Sequence, residues 1–419
     1  MPATTTDTMD TGGGVRTGGA DAGTAPAARR RLPLVVYVLA VGTFLMLTTE
    51  FVVAGILPDI ADDLGVSLAR VGSFITVFAV GMIVGAPVVT MATARLSARF
   101  TLVLALSIFV VGHIWVALAS DVEQIVIARL LTGLATGAFW AVAAVVASRA
   151  AGPAMGSRAV AVVAAGGSLA TVLGVPIGAY IAQLVGWRGT FWALAVGAVL
   201  VTVLVLRCVP RDERDTAAGA SLLADLAGLL SVRLWLVLLA CVTTSGGVLA
   251  LYSFIAPVLI DRSGVAASVV PLVLTAFGVG SFLGTLVAGR LGDSSPHAVT
   301  IITPAVSTAL MAVILLFSSQ AWAMISAITL LGVFGLSANG VLIHLAVRFS
   351  GTAASLGSAL SVAAFNLGTA VITPIAGSTL ESPLGLDGPA TVGTTVLALT
   401  LIPTTALALL ARRARRSRA

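Results

Sequence analysis

Two residues of this chain have types and positions that invite chemistry. Glu50 stands inside a run of about 24 almost wholly apolar residues, Leu34 to Leu57, and no other predicted span carries an acid. Arg129 is the cation placed inside a span. An ionisable group at bilayer depth costs several kcal/mol unless it is neutral, paired or facing a wet cavity. A leucine would avoid that cost, so the carboxylate has a use there, and reversible proton binding is the chemistry it offers. At ~1.5 Å rise per residue, Glu50 lies about 10 Å from the outer end of its helix and Arg129 about 9 Å from the outer end of its own. The two charges share a depth, so a direct or water-bridged pair is expected. The alternatives are an acid hydrogen-bonded to Thr48 or Thr49, and an arginine that snorkels to the outer surface.

Other chemistries lack their residues. All 23 basic residues are arginine, so there is no lysine for a Walker A phosphate loop or a Schiff base. Cys208 and Cys241 have no metal-ligand spacing and imply no disulfide framework. No Ser-His-Asp, paired-carboxylate or His-Cys cluster supports hydrolysis or metal binding. The expectation is a protein that is not an enzyme and needs no metal or cofactor. His113 and His344 fall near opposite span ends, where a structural hydrogen bond is the expected role of each.

The elements that position these groups follow from composition. With 419 residues, 58% hydrophobic and 10% charged, and a mean hydropathy of +1.10, the chain reads as an all-α polytopic membrane protein. Apolar runs predict twelve spans, near 34–57, 72–93, 100–119, 124–148, 160–184, 189–208, 233–257, 268–289, 298–317, 321–347, 353–379 and 390–411. Residues 1–32 read as a disordered tail with a basic end at Arg29 to Arg31. A six-helix bundle at 33–208, a polar loop at 209–232, a second bundle at 233–411 and a basic tail at 412–419 complete the expected organisation.

Arginines fix the expected orientation. Nineteen lie in the tails and loops of one side, against Arg70, Arg188 and Arg262 on the other. This bias places both termini and the central loop in the cytoplasm of a plasma-membrane protein. It also accounts for the basic charge without a nucleic-acid partner.

An internal repeat ties the bundles together. Shifting by 199 residues aligns Pro58 with Pro257, Asp62 with Asp261, Gly65 with Gly264, Phe78 with Phe277, Gly81 with Gly280 and Gly85 with Gly284. Ten of the 28 positions in 58–85 are identical, where chance would give about three. Parallel repeats of this kind build the halves of many secondary transporters. Opposite Glu50 the repeat has Leu249, so the scaffold itself does not need the acid.

Twelve spans, a six-plus-six repeat and a central cytoplasmic loop resemble the major facilitator superfamily. The sequence LTTEFVVAGILPDIADDLGVS is similar to the signature of its twelve-span drug/proton antiporters, in the branch of chloramphenicol and arabinose-type exporters. Within RLLTGLATG, Arg129, Gly133 and Gly137 resemble the family's fourth-span arginine motif. In the fifth span, Ala170, Gly174 and Gly178 make a smooth face beside Pro176 and resemble the antiporter motif, although the usual Gly-Pro pair is spaced out here. The loop TMATARLSARF keeps Arg95 and Arg99 of the family's cytoplasmic gate, while Thr90 and Ala94 replace its glycine and aspartate. The second-half copy, GRLGD, retains Gly289 and Asp293.

The resemblance implies a proton-coupled efflux transporter, monomeric and working by alternating access, with Glu50 and Arg129 as its proton-coupling pair. Its partners would be the bilayer, protons and small, mostly apolar drugs such as chloramphenicol-like antibiotics. Phe44, Met46, Phe139 and Trp140 are the expected apolar cavity wall, with Asn339 and Asn366 as candidates on the second half. Sugar or nucleoside efflux on the same scaffold, and a membrane sensor without transport, are the competing readings. The topology is open to test. A reporter fused after Arg418 or within 209–232 should report cytoplasm, and one near Asp261 the outside; a periplasmic C-terminus would overturn the span count.

Overall fold

The computed structural model describes residues 32–92, 96–152, 155–210, 231–350 and 354–416. The expected N-terminal tail, most of the 209–232 loop, the last residues of the basic tail and Arg95 lie outside them. A segment in hydrocarbon must satisfy every backbone N–H and C=O internally, which for runs this long and apolar means a helix.

Twelve segments qualify as membrane spans. They are α1 (Leu34–Leu64), α2 (Leu68–Gly85), α3 (Ala98–Leu118), α4 (Val122–Ala151), α5 (Arg158–Val185) and α6 (Trp187–Cys208). The second set is α7 (Val232–Tyr252), α8 (Ala267–Ser294), α9 (Pro296–Leu316), α10 (Ala321–Phe349), α11 (Gly357–Thr379) and α12 (Gly385–Arg413). An even number of crossings among the described residues puts the start of α1 and the end of α12 at one end of the bundle, hereafter the termini end.

The repeat is visible in how helices touch. A Cβ on Gly133 would stand 2.3 Å from the carbonyl oxygen of Phe78, and one on Gly332 the same distance from that of Phe277. Gly81 approaches the Leu130 carbonyl as Gly280 approaches that of Thr329. Gly85 meets Leu134 as Gly284 meets Val333. Each pair is related by the 199-residue shift, so α2 packs on α4 as α8 packs on α10. Side chains larger than hydrogen would push these backbones apart. Gly65 and its copy Gly264 both take the left-handed conformation, at φ 63° and 65°, which glycine adopts without strain.

Three spans predicted as continuous helices are irregular. In α5, residues Ala170–Gly174 form a π-helical turn just before Pro176, whose ring cannot accept a normal fourth-residue register. After α7, Ser253 and Phe254 form a turn ahead of Pro257 and a second π turn, Val258–Arg262. Within α10 the helix stops at Gly335 and restarts at Asn339, with Leu336–Ala338 forming a turn at membrane depth.

The two halves meet firmly at the end opposite the termini. One continuous core joins Val53 to Ala61 of α1 with Val248 to Leu259, Leu274 and Phe277 of the second half. The Phe254 ring fills the space over Gly72, at 2.6 Å from where a Cβ would stand, and also covers Gly377. Phe51 packs edge-on against Tyr252, and Tyr252 lies 4.7 Å from the Phe277 ring. At this end Arg70 pairs with Glu123, Arg188 with Asp63 and Arg262 with Asp387. The arginines assigned to the sparsely charged side are thus each neutralised by a carboxylate. At the termini end a separate core is built from second-half residues alone, Leu234 to Leu407.

Candidate functional site

Neighbouring residues of a helix point about 100° apart, so Thr49 and Glu50 of α1 serve different surroundings. Thr49 is fully buried and faces the interior of the first half. There its hydroxyl meets Nε2 of His113 at 2.8 Å and Nη1 of Arg129 at 2.8 Å. His113 Nδ1 lies 2.7 Å from the Phe109 carbonyl, which can only accept. That fixes the direction of the chain: Nδ1–H donates to Phe109, Nε2 accepts from the Thr49 hydroxyl, and Thr49 accepts from Arg129.

Arg129 is wholly buried, with no path for its charge to reach the surface. Besides Thr49, its Nε donates to the Phe74 carbonyl at 3.4 Å and its guanidinium lies 4.3 Å from the centre of the Phe78 ring. Nη2 has no hydrogen-bond partner among the described residues. Snorkelling is therefore not what Arg129 does. Its contacts come from α1 and α2, and the close Gly133–Phe78 approach holds α4 against α2 beside it.

Glu50 points the other way, into a cavity of about 230 Å³ between the halves. Its carboxylate makes no hydrogen bond or ion pair with the described residues, although the charge of Arg129 acts on it through space. Thr48 instead donates to the Phe44 carbonyl, so neither threonine holds the acid. Leu249, the repeat counterpart of Glu50, lines the same cavity. The two equivalent positions of the repeat thus serve one space, acidic in one half and apolar in the other.

The remaining lining includes Phe51, Trp140, Ser245, Asn339, Phe365, Asn366 and Thr369. Of the residues expected there, Trp140, Asn339 and Asn366 line it, and Phe44, Met46 and Phe139 do not. Met46 and Phe139 are buried in the first half, where the Phe139 ring packs onto Gly42. Phe44 is half-buried outside the lining. Asn366 Nδ2 donates to the Val362 carbonyl at 3.0 Å, while Oδ1 of both Asn366 and Asn339 is buried without a partner among the described residues. An unpaired buried acceptor costs about 1–3 kcal/mol, so a built-in pair of them calls for a donor.

The other expected site residues are positioned as follows. Ala170, Gly174, Pro176 and Gly178 are buried, and Cβ atoms on Gly174 and Gly178 would meet Thr48 and Val52 of α1 at 2.0 and 2.4 Å. On its other side α5 touches α8, where Gly278 sits against the Thr171 carbonyl. The motif helix is wedged between the halves, one residue from Thr49. Arg99 donates to the Leu206 carbonyl, and Gly289 and Asp293 are exposed with no ion pair among the described residues. Arg99 and Asp293 form no ion pair in this conformation, and Arg95 lies outside the described residues. His344 is exposed. The described residues contain no group of three metal-ligating side chains.

His113 makes structural hydrogen bonds of the kind expected of it, but the sequence did not point to Thr49 as its partner. Its distance along α3 gave no sign of Thr49, and only the α1–α3–α4 packing brings them together.

Comparison with known proteins agrees with this architecture. A family model described as Major Facilitator Superfamily matches residues 39–270. The chain is 33% identical over 360 residues to the chloramphenicol resistance protein of Streptomyces lividans, covering 85% of this chain and 92% of that protein. It is 30% identical over 367 residues to the inner membrane transport protein YdhP of Escherichia coli (strain K12), covering 87% and 93%. Among solved structures, a bacterial homolog of the human lysosomal transporter Spinster, in an inward-facing and unoccupied conformation, matches with a TM-score of 0.67. That match covers 91% of this chain and 96% of the other; at 16% identity it speaks to the fold alone.

The buried chain of hydrogen bonds predicts the effect of two threonine substitutions. Thr49→Val keeps the shape but removes the acceptor of a buried cation, and should cost about 1.5–3 kcal/mol. Thr49→Ser should stay near wild type. Thermal unfolding of the purified protein in detergent reads both; a Thr49→Val protein that melts with the wild type would remove Thr49 as the anchor of Arg129.

Proposed function

The chain belongs to the major facilitator superfamily of membrane transporters, and we propose that it is a proton-coupled antiporter exporting small, mostly apolar molecules, with chloramphenicol-like antibiotics as the substrate class. The observation that carries this reading is Glu50: an acid without a hydrogen-bonding partner, lining the cavity between the halves, opposite an apolar counterpart in the repeat. A sensor with no transport has no use for a titratable group in that place. The substrate class draws on the Streptomyces lividans relative and on the aromatic wall of Phe51, Trp140 and Phe365.

With both termini in the plasma-membrane cytoplasm, the tightly packed end is the outer one and the cavity loads from inside. Substrate binds while Glu50 is ionised. Opening the outer end requires Phe254 to leave Gly72, and Phe51 to part from Tyr252. There Glu50 takes a proton as substrate leaves, and the closed carrier returns it to the cytoplasm. No cofactor enters this cycle. For one proton per cycle, each pH unit of gradient supplies about 1.4 kcal/mol, or tenfold accumulation. Arg129, held by Thr49 with both N–H donors of Nη2 unpartnered among the described residues, is the cation that senses whether Glu50 is charged.

Glu50→Gln copies the protonated shape but cannot titrate. It should exchange a neutral ligand across the membrane yet fail to concentrate it against a gradient. Glu50→Asp should retain partial export with a shifted pH profile. Arg129→Lys keeps the charge and loses the planar fork, so it should be impaired, and Arg129→Ala more so. Drug accumulation in a pump-deficient host, with and without an uncoupler and at matched membrane levels, reads all four. Uncoupler-sensitive uphill export by Glu50→Gln equal to wild type would remove Glu50 as the coupling site.

A further inference from the structure

The polar groups of the cavity are unequal in kind. The Thr369 hydroxyl is engaged with the Phe365 carbonyl and with Ser245, so this pair has already spent hydrogen-bonding capacity on itself. Glu50, which lines the cavity, makes no hydrogen bond or ion pair with the described residues. The Asn366 amide is oriented by chemistry: only its nitrogen can face the Val362 carbonyl, which leaves the oxygen as the group in need. Asn339 adds a second unpartnered oxygen at the mid-membrane break of α10, a place where irregular backbone is tolerated beside a cavity. At Glu50 and Asn366 the unmet capacity is therefore for donors, whereas the Asn339 amide, with neither end engaged among the described residues, can turn either way. An anionic ligand would meet Glu50 with its charge and Asn366 with its oxygen.

We infer that the cavity selects uncharged aryl alcohols and amides, and that Asn366 Oδ1 accepts a hydrogen bond from a ligand hydroxyl. This rests on the transporter reading and deepens it, because aromatic contact from Trp140 and Phe365 alone would not distinguish a hydroxylated ligand from its capped analogue. A site whose buried acceptor is left unpaired rejects the analogue lacking the donor.

Thiamphenicol and florfenicol supply the probe pair, since they differ by exchange of one hydroxyl for fluorine, which cannot donate. Equilibrium binding to the full chain in lipid nanodiscs, with no gradient present, should favour thiamphenicol by about tenfold. Asn366→Leu should weaken thiamphenicol by about the same factor, leave florfenicol within about twofold, and so erase the preference. Asn366→Ala, smaller and likewise without a side-chain acceptor, replaces it if the leucine protein does not melt like wild type. The inference is overturned if the wild type binds both equally, if it binds neither, or if the preference survives in a folded Asn366 variant. Because no gradient is involved, the arms separate from the transport reading. A hydroxyl preference without proton-driven transport would sink only the coupling scheme, and proton-driven export without the preference would sink only this assignment.

Discussion

The structure is built around the difficulty of keeping a guanidinium inside a membrane-spanning bundle. Breaking up the partners of a buried charge is expensive, because the charge remains while its solvation is gone. Here the solvation comes from the Thr49 hydroxyl, the Phe74 carbonyl and the face of the Phe78 ring. Thr49 in turn is oriented by His113, and His113 by the Phe109 carbonyl. Four elements, α1 to α4, thus converge on one side chain. The helix interfaces that allow it are the glycine contacts of α2 with α4, where backbone lies on backbone and little can shift.

Those glycine contacts recur in the second half around apolar residues. Ile328 occupies the position related to Arg129 by the repeat, and Val248 that of Thr49. Both are fully buried. The same scaffold is therefore built with or without the polar cluster, and the packing of these helices does not itself require it. With Glu50 in one half and Leu249 opposite it, the central cavity has two unlike walls, one with a titratable acid and the other with amide oxygens.

Much of this was legible in the sequence. Twelve apolar runs, the 199-residue repeat and Leu249 opposite Glu50 follow from residue types and spacing alone, because membrane depth and backbone saturation leave few alternatives. Which face of α1 meets the cavity was less accessible. Met46 and Phe139 are large and apolar, as a drug-binding wall would be, yet rotation about the helix axis turns them into the first half. An all-round apolar helix carries no moment to reveal that rotation. The hydrogen-bonded role of His113 was expected, but its partner was not legible: Thr49 is 64 positions away, and the pairing depends on how α3 leans on α1. The break in α10 had local signs, Gly335 and Ser337 before Asn339-Gly340, but such residues are common within unbroken membrane helices.

In the proposed cycle substrate and proton contend for the Glu50 carboxylate, and one measurement addresses that competition directly. Chloramphenicol is added to the purified chain in a weakly buffered solution containing an indicator dye, across the pH range in which the free carrier takes up a proton. Competition predicts release of about one proton per ligand bound by the wild type, and none by a Glu50→Gln protein that still binds. Binding by the wild type with no proton released, or equal release from the Glu50→Gln protein, would contradict it.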